Sequence, residues 1–301
     1  CYVPGWDCHG LPIELKVLQA LDKTQRAELT PIKLRKKAAA YAKKQVSQQM
    51  DGFKRWGVWG DWDQPYLTLD KKFEASQIKL FGEMVFKGYI YRGLKPVHWS
   101  PSSRTALAEA ELEYPDGHIS ESIYVAFPVV QIPESLRSIC IDQGIKLPKE
   151  KDDLGKLLKV AIWTTTPWTL PANVAISINQ KLDYVIILDN KGSLLIIAFQ
   201  LLQSISEKLD ITCKIVARFK GNELENTVYN NTLMDRLGPL VVGGDYITTD
   251  SGTGLVHTAP GHGIDDFNTG LKYKLPIICP VDEAGNLTTE AGKFEGLNVL
   301  E

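Results

Sequence analysis

The hydrophobic pattern of the chain changes character about one third of the way along. Before residue 112, apolar positions recur at helical spacing and predict helices at about 11–20, 31–56 and 71–87, joined by turn-rich segments. Pro31 suits the first helical turn after a Thr30 cap. Residues 89–100 alternate between polar and apolar and predict a strand or a connector.

Beyond residue 114, short β-branched runs separated by turn formers dominate the sequence. They predict strands at 122–130, 158–166, 174–178, 183–189, 193–199, 211–219, 239–250 and 254–260, with helices at about 200–209 and 266–273. The spacing indicates a mixed or antiparallel β-rich domain. The EYPDGH segment breaks the earlier pattern, so we predict one domain over 1–112 and a second over 113–301, with the boundary near 112–118.

Charge limits the ways in which the chain can bind nucleic acid. The 301 residues are 44% hydrophobic and carry a net charge of -2, so contact with a polyanion requires a local basic surface. Basic residues cluster in the predicted helix 31–56, with Asp51 as the lone acid: Lys33, Arg35, Lys36, Lys37, Lys43, Lys44, Lys54 and Arg55. Two interpretations stay open, a solvated helix face and a phosphate-facing surface for RNA.

The five cysteines argue against a disulfide framework and against a zinc ribbon, since their number is odd and none forms a C-x-x-C pair. A reducing compartment fits this usage. The sequence has no apolar run of about 18 residues that would predict a membrane span, and no signal peptide. Because the chain starts at Cys1 inside a motif and without an initiator Met, we interpret it as a fragment of a longer protein.

The first motif that carries chemistry is GWDCHGLPIE, residues 5–14. A carboxylate at Asp7 and an imidazole at His9 stand two residues apart in a glycine-flanked loop that opens a helix. Such a loop can bind an ammonium group and a phosphate or ribose. The alternative is a well-packed turn anchored by Trp6.

The second motif is IWTTTPWTLPAN, residues 162–173. Its hydroxyls and one amide form a cluster of neutral donors and acceptors, and strand alternation would direct Thr164 and Thr166 to one face and Thr165 to the other. Thr169 and Asn173 belong to the same cluster. No lysine or other base lies nearby in sequence, so none of these threonines is interpreted as an activated nucleophile.

The third motif is GTGLVHTAPGHGIDDF, residues 252–267. Its glycines allow close backbone approach, and LVHTA predicts a short buried strand that carries His257. His257 is either a core histidine with satisfied hydrogen bonds or a site residue. Asp265 is expected to cap the following helix, whereas Asp266 is either a cap or a carboxylate that binds an α-ammonium group beside the threonines. His262, between two glycines, is expected to be a turn residue.

Together these motifs resemble isoleucyl-tRNA synthetases, within the isoleucine/valine/leucine group of class I aminoacyl-tRNA synthetases. GWDCHGLPIE is similar to the segment after the HIGH motif of the isoleucine type, TTTPWTLPAN to the threonine-rich region of its editing domain, and GTGLVHTAPGHGIDD to the aspartate-bearing editing motif of the group. The leucine and valine types carry TTRP where this chain has Thr166. The segments at 57–70 and 104–114 are also similar to this family.

The resemblance implies an α/β fold, with part of a Rossmann-type catalytic domain and an inserted β-rich α+β editing (CP1) domain. In the full enzyme it implies activation of isoleucine with ATP and Mg²⁺ and loading onto tRNA(Ile), by a monomer in the cytoplasm or an organellar matrix or stroma. KMSKS and the HIGH motif are absent here, so we expect no synthetic activity from the fragment alone. At the synthetic site, Asp7 would contact the amino group of isoleucine and His9 would lie close by.

In the editing domain the resemblance implies hydrolysis of valine esters at the tRNA 3′ end. Asp266 would hold the α-ammonium of valine, and His257 would line the side-chain pocket. The remaining residues would contact the terminal adenosine or position the attacking water, with help from a ribose hydroxyl of the substrate; they are Thr164, Thr165, Thr166, Thr169 and Asn173.

Some members of the family bind zinc through W-C-P-x-C in the connector. Here Ser100 and Ser103 stand at the cysteine positions, so no zinc is expected in this fragment. The rival hypotheses are a free-standing deacylase of mischarged tRNA, a valine-type or leucine-type synthetase, and a non-enzymatic RNA-binding module based on the basic helix.

Overall fold

The computed structural model describes residues 2–300, which form two compact units that divide between Gly93 and Leu94. The division falls before the EYPDGH segment, so residues 94–112 cluster with the β-rich part of the chain. The assignment of 1–112 to a single domain therefore stays a prediction.

The first unit is mainly helical. Its helices are α1 (Leu11–Gln19), α2 (Lys23–Ala27), α3 (Pro31–Arg55) and α4 (Lys71–Phe86), which confirms the three helices predicted there and adds α2. The Thr30 hydroxyl accepts a hydrogen bond from the backbone N–H of Lys33 at 3.3 Å, so the predicted cap of α3 is confirmed.

Two short parallel strands, β1 (Gly5–Trp6) and β2 (Tyr66–Leu67), join the start of this unit to the segment that precedes α4. A small core forms where α1 packs on α3, around buried Cys8, Ala42 and Val46. The pairing of β1 with β2 places the Asp7–His9 loop next to residues 66–69.

The second unit begins with a hairpin, β3 (His98–Ser100) and β4 (Thr105–Leu107). Most of the predicted strand or connector at 89–100 is therefore irregular, and His98 marks where pairing begins. The indole N–H of Trp99 donates to the carbonyl of Glu283 at 3.0 Å, which ties the hairpin to the later part of the same unit.

Nine strands of the residues that the structure describes form one mixed sheet, in the order β10-β8-β9-β6-β5-β11-β12-β7-β13. They are β5 (Ile123–Gln131), β6 (Leu158–Thr164), β7 (Ala175–Ile178), β8 (Asp183–Asp189), β9 (Leu194–Ala198), β10 (Cys213–Lys220), β11 (Val228–Asn231), β12 (Arg236–Val242) and β13 (Leu255–Thr258). The β6–β9 and β12–β7 pairs are parallel and the others antiparallel, so the prediction of a mixed β-rich fold is confirmed.

In the described part of the chain, the same unit contains four further helices. They are α5 (Glu134–Asp142), α6 (Lys151–Leu157), α7 (Leu202–Leu209) and α8 (Ile264–Tyr273); the last two confirm predicted helices. Tyr184, Tyr229 and Phe127 are among the largest side chains that the core encloses completely. β-branched and aromatic side chains fit this setting because they pack well on a pleated surface.

One predicted strand is too long. The run at 239–250 ends as a strand at Val242, and 243–250 are irregular. A Cβ on Gly243 would lie within 2.6–2.9 Å of atoms of Tyr246, Ile247 and Ser177. The Gly243–Gly244 pair thus lets the chain turn tightly against its neighbours where the alternating pattern suggested further extension.

Two features of this sheet bring the motifs together. Strand β13, with His257, lies at the edge and pairs with β7, so His257 stands opposite Ile176. A 3-10 turn at Pro167–Ala172 connects the end of β6 to β7 and carries Thr169. No helix among residues 2–300 has both the length and the apolar character to cross a membrane.

Candidate functional site

A chain of hydrogen bonds links the threonine motif to the histidine of β13. The amide Nδ2 of Asn173 lies 3.1 Å from His257 Nδ1, and His257 Nε2 lies 2.7 Å from Thr169 Oγ1. Thr169 in turn donates its hydroxyl to the carbonyl of Thr166 at 2.8 Å. Both ring nitrogens of His257 are therefore engaged inside the protein.

The donors and acceptors of this chain can be assigned one by one. Thr169 donates its hydroxyl hydrogen to the Thr166 carbonyl, so its oxygen can only accept from His257. The Nε2 atom of His257 therefore carries the proton. Nδ1 then accepts from the Asn173 amide, whose other N–H donates to the carbonyl of Ala175 at 2.9 Å. A single tautomer of a neutral imidazole satisfies every partner.

Burial keeps His257 neutral. The side chain is 8% exposed, and loss of hydration, with a smaller repulsion from His262, lowers its pKa to about 4. Protonation would also force Nδ1 to donate towards an amide that already donates to it. His257 thus meets the description of a core histidine with satisfied bonds, and its ring presents carbon edges rather than free nitrogens.

Residues of β11 and β12 hold this network from behind. The buried hydroxyl of Tyr229 donates to Asn173 Oδ1, and burial raises the pKa of that phenol far above its ordinary value. The guanidinium of Arg236 donates to the carbonyls of Pro171 and Asn173, both at 3.0 Å. Strand β11 was not predicted, so neither the Tyr229 contact nor its role in the site could be anticipated.

The three consecutive threonines divide into one buried and two exposed positions. Thr164 is buried at the end of β6, and its hydroxyl accepts from the backbone N–H of Thr166 at 3.1 Å. The hydroxyls of Thr164 and Thr166 lie 3.3 Å apart, but β6 ends at Thr164, so a turn and not strand alternation brings them together. Thr165 and Thr166 are exposed residues.

Asp266 folds back onto the loop that follows β13. Its Oδ2 accepts from the backbone N–H of Ala259 at 2.9 Å, and among the described residues no hydrogen bond involves Oδ1. The side chain is half-buried, and burial raises its pKa against the opposing effect of the Ala259 bond. The structure thus presents a carboxylate with one fixed oxygen and one available oxygen.

The expectation that Asp265 caps α8 is wrong. The N-cap residue is Gly263, without a side-chain hydrogen bond to the helix, and Asp265 and Asp266 lie within the first turn. Asp265 is exposed there, where a carboxylate interacts favourably with the helix dipole.

His262 occupies the predicted turn and also faces the threonine motif. Its backbone N–H donates to the carbonyl of Ala259 at 2.9 Å. Its ring packs edge to face on Trp168, with 5.2 Å between the ring centroids. Its Nε2 is buried without a hydrogen-bond partner in the described part of the chain. Trp168 and His262 therefore join the 3-10 turn to the Ala259–Gly263 loop, a role that their motifs did not reveal.

Comparison with known proteins places this chain in a family. The family model described as "tRNA synthetases class I (I, L, M and V)" matches residues 1–237. This chain belongs to the class I tRNA synthetases. The isoleucine–tRNA ligase of Prochlorococcus marinus (strain NATL2A) is 72% identical over 301 residues, and that of Nostoc punctiforme is 56% identical over 305 residues.

The chain spans 31% of the length of each of these two ligases. Among solved structures, the editing domain of the Plasmodium falciparum cytosolic leucyl-tRNA synthetase (space group P1) has a TM-score of 0.40 at 13% identity. That alignment covers 52% of this chain and 68% of the solved chain.

The loop that the family resemblance assigns to the synthetic site lies in the first unit. Asp7 and His9 are both exposed, and His9 Nδ1 lies 3.1 Å from the hydroxyl of Thr68. The same hydroxyl accepts from the backbone N–H of Cys8 at 2.9 Å. Because Thr68 is buried, its hydrogen is best satisfied by donation to Nδ1, which leaves the His9 proton on Nε2.

A cavity of about 920 Å³ opens beside this loop, and its lining includes His9, Glu14, Arg35, Lys43 and Thr68. The sequence motif at 57–70 contains Thr68 but gave no hint of its contact with His9. The structure therefore adds Thr68 as a residue that orients the first motif, while the substrate roles of Asp7 and His9 stay predictions.

The hairpin that resembles the zinc connector holds serines in mutual contact. Ser103 donates to Ser100 at 2.7 Å between hydroxyl oxygens. Within residues 2–300 no group of three or more His, Cys, Asp or Glu side chains is arranged to hold a metal ion, and Cys8, Cys140, Cys213 and Cys279 are free.

Proposed function

We propose that this chain is the part of an isoleucine–tRNA ligase that contains its hydrolytic editing site, and that the site removes valine from mischarged tRNA(Ile). Similarity to isoleucine–tRNA ligases over the whole chain supports the assignment. The observation that carries the chemistry is the half-buried Asp266 carboxylate, whose Oδ2 is fixed by the backbone N–H of Ala259, in the loop after the strand of His257, and whose Oδ1 is available.

A hydrolytic second site answers a physical limit on recognition. A pocket that accepts isoleucine cannot strongly exclude valine, because a missing methylene is worth only about 1–3 kcal/mol; discrimination by isoleucine enzymes is itself the standard example of this limit. A smaller pocket that excludes isoleucine and hydrolyses valine esters removes the errors.

Asp266 is the group that binds the α-ammonium of the valyl ester. Its free Oδ1 can accept a charge-assisted hydrogen bond from the ammonium, while the Ala259 N–H keeps the carboxylate in place. Burial raises the pKa of Asp266 and so disfavours its ionised form. The positive charge of a bound ammonium acts in the opposite direction and favours the ionised carboxylate.

His257 acts as a rigid wall of the side-chain pocket. Both of its nitrogens are bonded to Asn173 and Thr169, so it cannot rotate to admit a larger side chain without breaking two hydrogen bonds. Asn173, Thr164 and Thr169 position this wall and its loop.

Thr165 and Thr166, which are exposed residues, contact the terminal adenosine or the attacking water. A free ribose hydroxyl of the substrate assists the hydrolysis, in line with the family resemblance.

For the whole enzyme we propose ATP-dependent activation of isoleucine, with Mg²⁺, and transfer to tRNA(Ile). Asp7 contacts the amino group of isoleucine at the synthetic site, and His9, oriented by Thr68, lies beside it. No zinc is required in the serine-containing hairpin, since serine is a poor zinc ligand.

The test is hydrolysis of valyl-tRNA(Ile) and isoleucyl-tRNA(Ile) by residues 1–301. The unchanged chain should deacylate the valine ester selectively, and Asp266→Ala should abolish this activity. Asp265→Ala is the matched control, since it removes the neighbouring exposed carboxylate and should leave the rate unchanged.

Equal loss in both variants would refute the specific role of Asp266. Deacylation of tRNAs of other specificities at similar rates would favour the alternative function, a deacylase of mischarged tRNA. No hydrolysis by a folded chain would refute an editing site that is complete within these residues.

A further inference from the structure

Helix α3 carries a stripe of positive charge along one side. At about 100° per residue, seven cations fall within roughly one third of its circumference. They are Lys33, Lys36, Lys37, Lys43, Lys44, Lys54 and Arg55, which we call the α3 basic face. All seven are exposed, and the stripe is about 33 Å long at 1.5 Å per residue.

The core fixes the direction in which this face points. Buried Ala42 and Val46 lie on the opposite side of the helix, where α3 packs in its unit. Arg35 projects on that packed side and forms an ion pair with Glu74 at 2.9 Å, so it does not belong to the basic face. Rotation of the helix would expose its buried residues, so the stripe is held towards solvent.

The stripe differs from an ordinary solvated face in having one sign of charge. None of its seven cations forms an ion pair within residues 2–300, and Asp51 is the single acid on the same arc. Helix α4 instead mixes both signs, with Lys72, Glu74, Lys79 and Glu83. Like charges three and four residues apart, as at Lys33 with Lys36 and Lys37, destabilise an isolated helix.

A chain with a net charge of -2 that concentrates seven cations on one face has a surface complementary to a polyanion. Exposed lysines on a rigid rod of this length can follow a line of backbone phosphates. Tyr41, Phe53 and Trp56 lie outside the arc that contains the cations, so the face lacks the aromatic platforms with which single-stranded bases stack. The chemistry favours the phosphate backbone of a base-paired stem.

We propose that the α3 basic face binds the phosphate backbone of a helical stem of the tRNA. This inference rests on the proposed function for its partner, but it concerns affinity in the first unit and is independent of the editing chemistry. The contact is electrostatic and carries no sequence information.

The experiment compares two variants of residues 1–301 that lose the same charge. Lys37, Lys44 and Arg55, in one row of the face, are replaced by Gln in the first variant. Lys146, Lys149 and Lys151, exposed and without ion pairs in the structure described, are replaced by Gln in the control. Binding of fluorescent tRNA(Ile) transcript is followed by anisotropy between about 50 and 200 mM salt.

The α3 variant should bind roughly ten- to a hundredfold more weakly near physiological salt. Its slope of log K against log salt should fall by about 2–3, because each of the three lost phosphate contacts removes about 0.7–0.9. The control should keep the slope of the unchanged chain. Circular dichroism establishes that both variants stay folded.

Equal losses in the two variants would overturn the proposal, since they would reflect net charge alone. Heparin or single-stranded RNA that competes as well per charge as the tRNA would also overturn it, because the face would then lack preference for a stem. Deacylation of valyl-tRNA at saturating concentration tests the proposed function separately. The α3 variant should retain this activity even though it binds tRNA more weakly.

Discussion

Acid should weaken the edge of the sheet that carries the site, because His257 is buried in a neutral form. Its partners accept one tautomer and leave no acceptor for a second ring proton. The perturbation is a fall in pH from about 8 to about 5. The unfolded chain gains a proton on this histidine near its ordinary pKa, whereas the folded chain resists it.

The sign and size follow from the two pKa values. The pKa is 6.5 for the ordinary group and about 4 in the fold, so the folded pKa is depressed. The stability linked to neutral His257 is therefore complete above pH 6.5 and is lost as the pH falls towards 4. The loss is about 2 kcal/mol at pH 5 and about 3 kcal/mol at its limit, at 1.36 kcal/mol per unit.

The assay is amide hydrogen exchange of β7, which pairs with the strand of His257 and reports the opening of this edge. His257→Gln provides the comparison, since an amide does not titrate. Asp266, whose raised pKa acts in the opposite direction, and His262, whose lowered pKa acts in the same direction, are present in both proteins and cancel. An equal acid-induced loss in both proteins would refute the reasoning, as would titration of the His257 ring near pH 6.5 in NMR spectra.

Three further changes test other contacts. Tyr229→Phe keeps the ring but removes the donor to a buried amide, so urea denaturation should show an unfolding free energy lower by about 1–3 kcal/mol; an unchanged value would refute that hydrogen bond. Gly254→Ala places a Cβ 2.3 Å from a side-chain atom of β9 and should lower the melting temperature by several degrees. Gly192→Ala is the control, because Gly192 also has a positive φ but faces open space, and it should lower the melting temperature less. Equal losses would show that backbone strain, and not the steric clash, is the whole cause. Thr68→Val should let His9 populate both tautomers in ¹⁵N NMR spectra and Thr68→Ser should not; identical spectra would contradict the orienting role.

Local patterns predicted the elements whose residues all favour the same structure. The β8 run VIIL and the β9 run LLIIA are apolar and contain β-branched Val or Ile, and both form strands where expected. Strand β11, with the sequence VYNN, contains polar residues; it forms a hairpin with β12 and also pairs with β5, which lies far away in sequence. Such pairing is a tertiary effect that propensity cannot report.

Helices α5 and α6 were missed for a related reason. Both contain residues of low helix propensity: α5 has the sequence ESLRSICID, rich in Ser, Ile, Cys and Asp, and α6 contains Gly155, a poor helix former. A Cβ on Gly155 would lie 3.2 Å from the side chain of Pro128, so the glycine lets the helix approach β5 closely. Close packing on β5 therefore favours glycine at this position, and glycine weakens the local sequence signal for a helix.

The second and third motifs lie in contact, as the prediction of a shared site requires, but the structure shows different environments for their residues than the motifs suggested. His257 has the environment of a fixed wall, because its nitrogens are used by Asn173 and Thr169, contacts that span 84 and 88 residues of sequence. His262, expected to be a plain turn residue, keeps a buried nitrogen without a partner in the described chain. Since buried polar atoms are normally satisfied, a water or a ligand group is the natural partner for that nitrogen. In the proposed editing site, a rigid histidine beside a neutral histidine with an open nitrogen would separate the task of excluding a side chain from the task of holding a polar group.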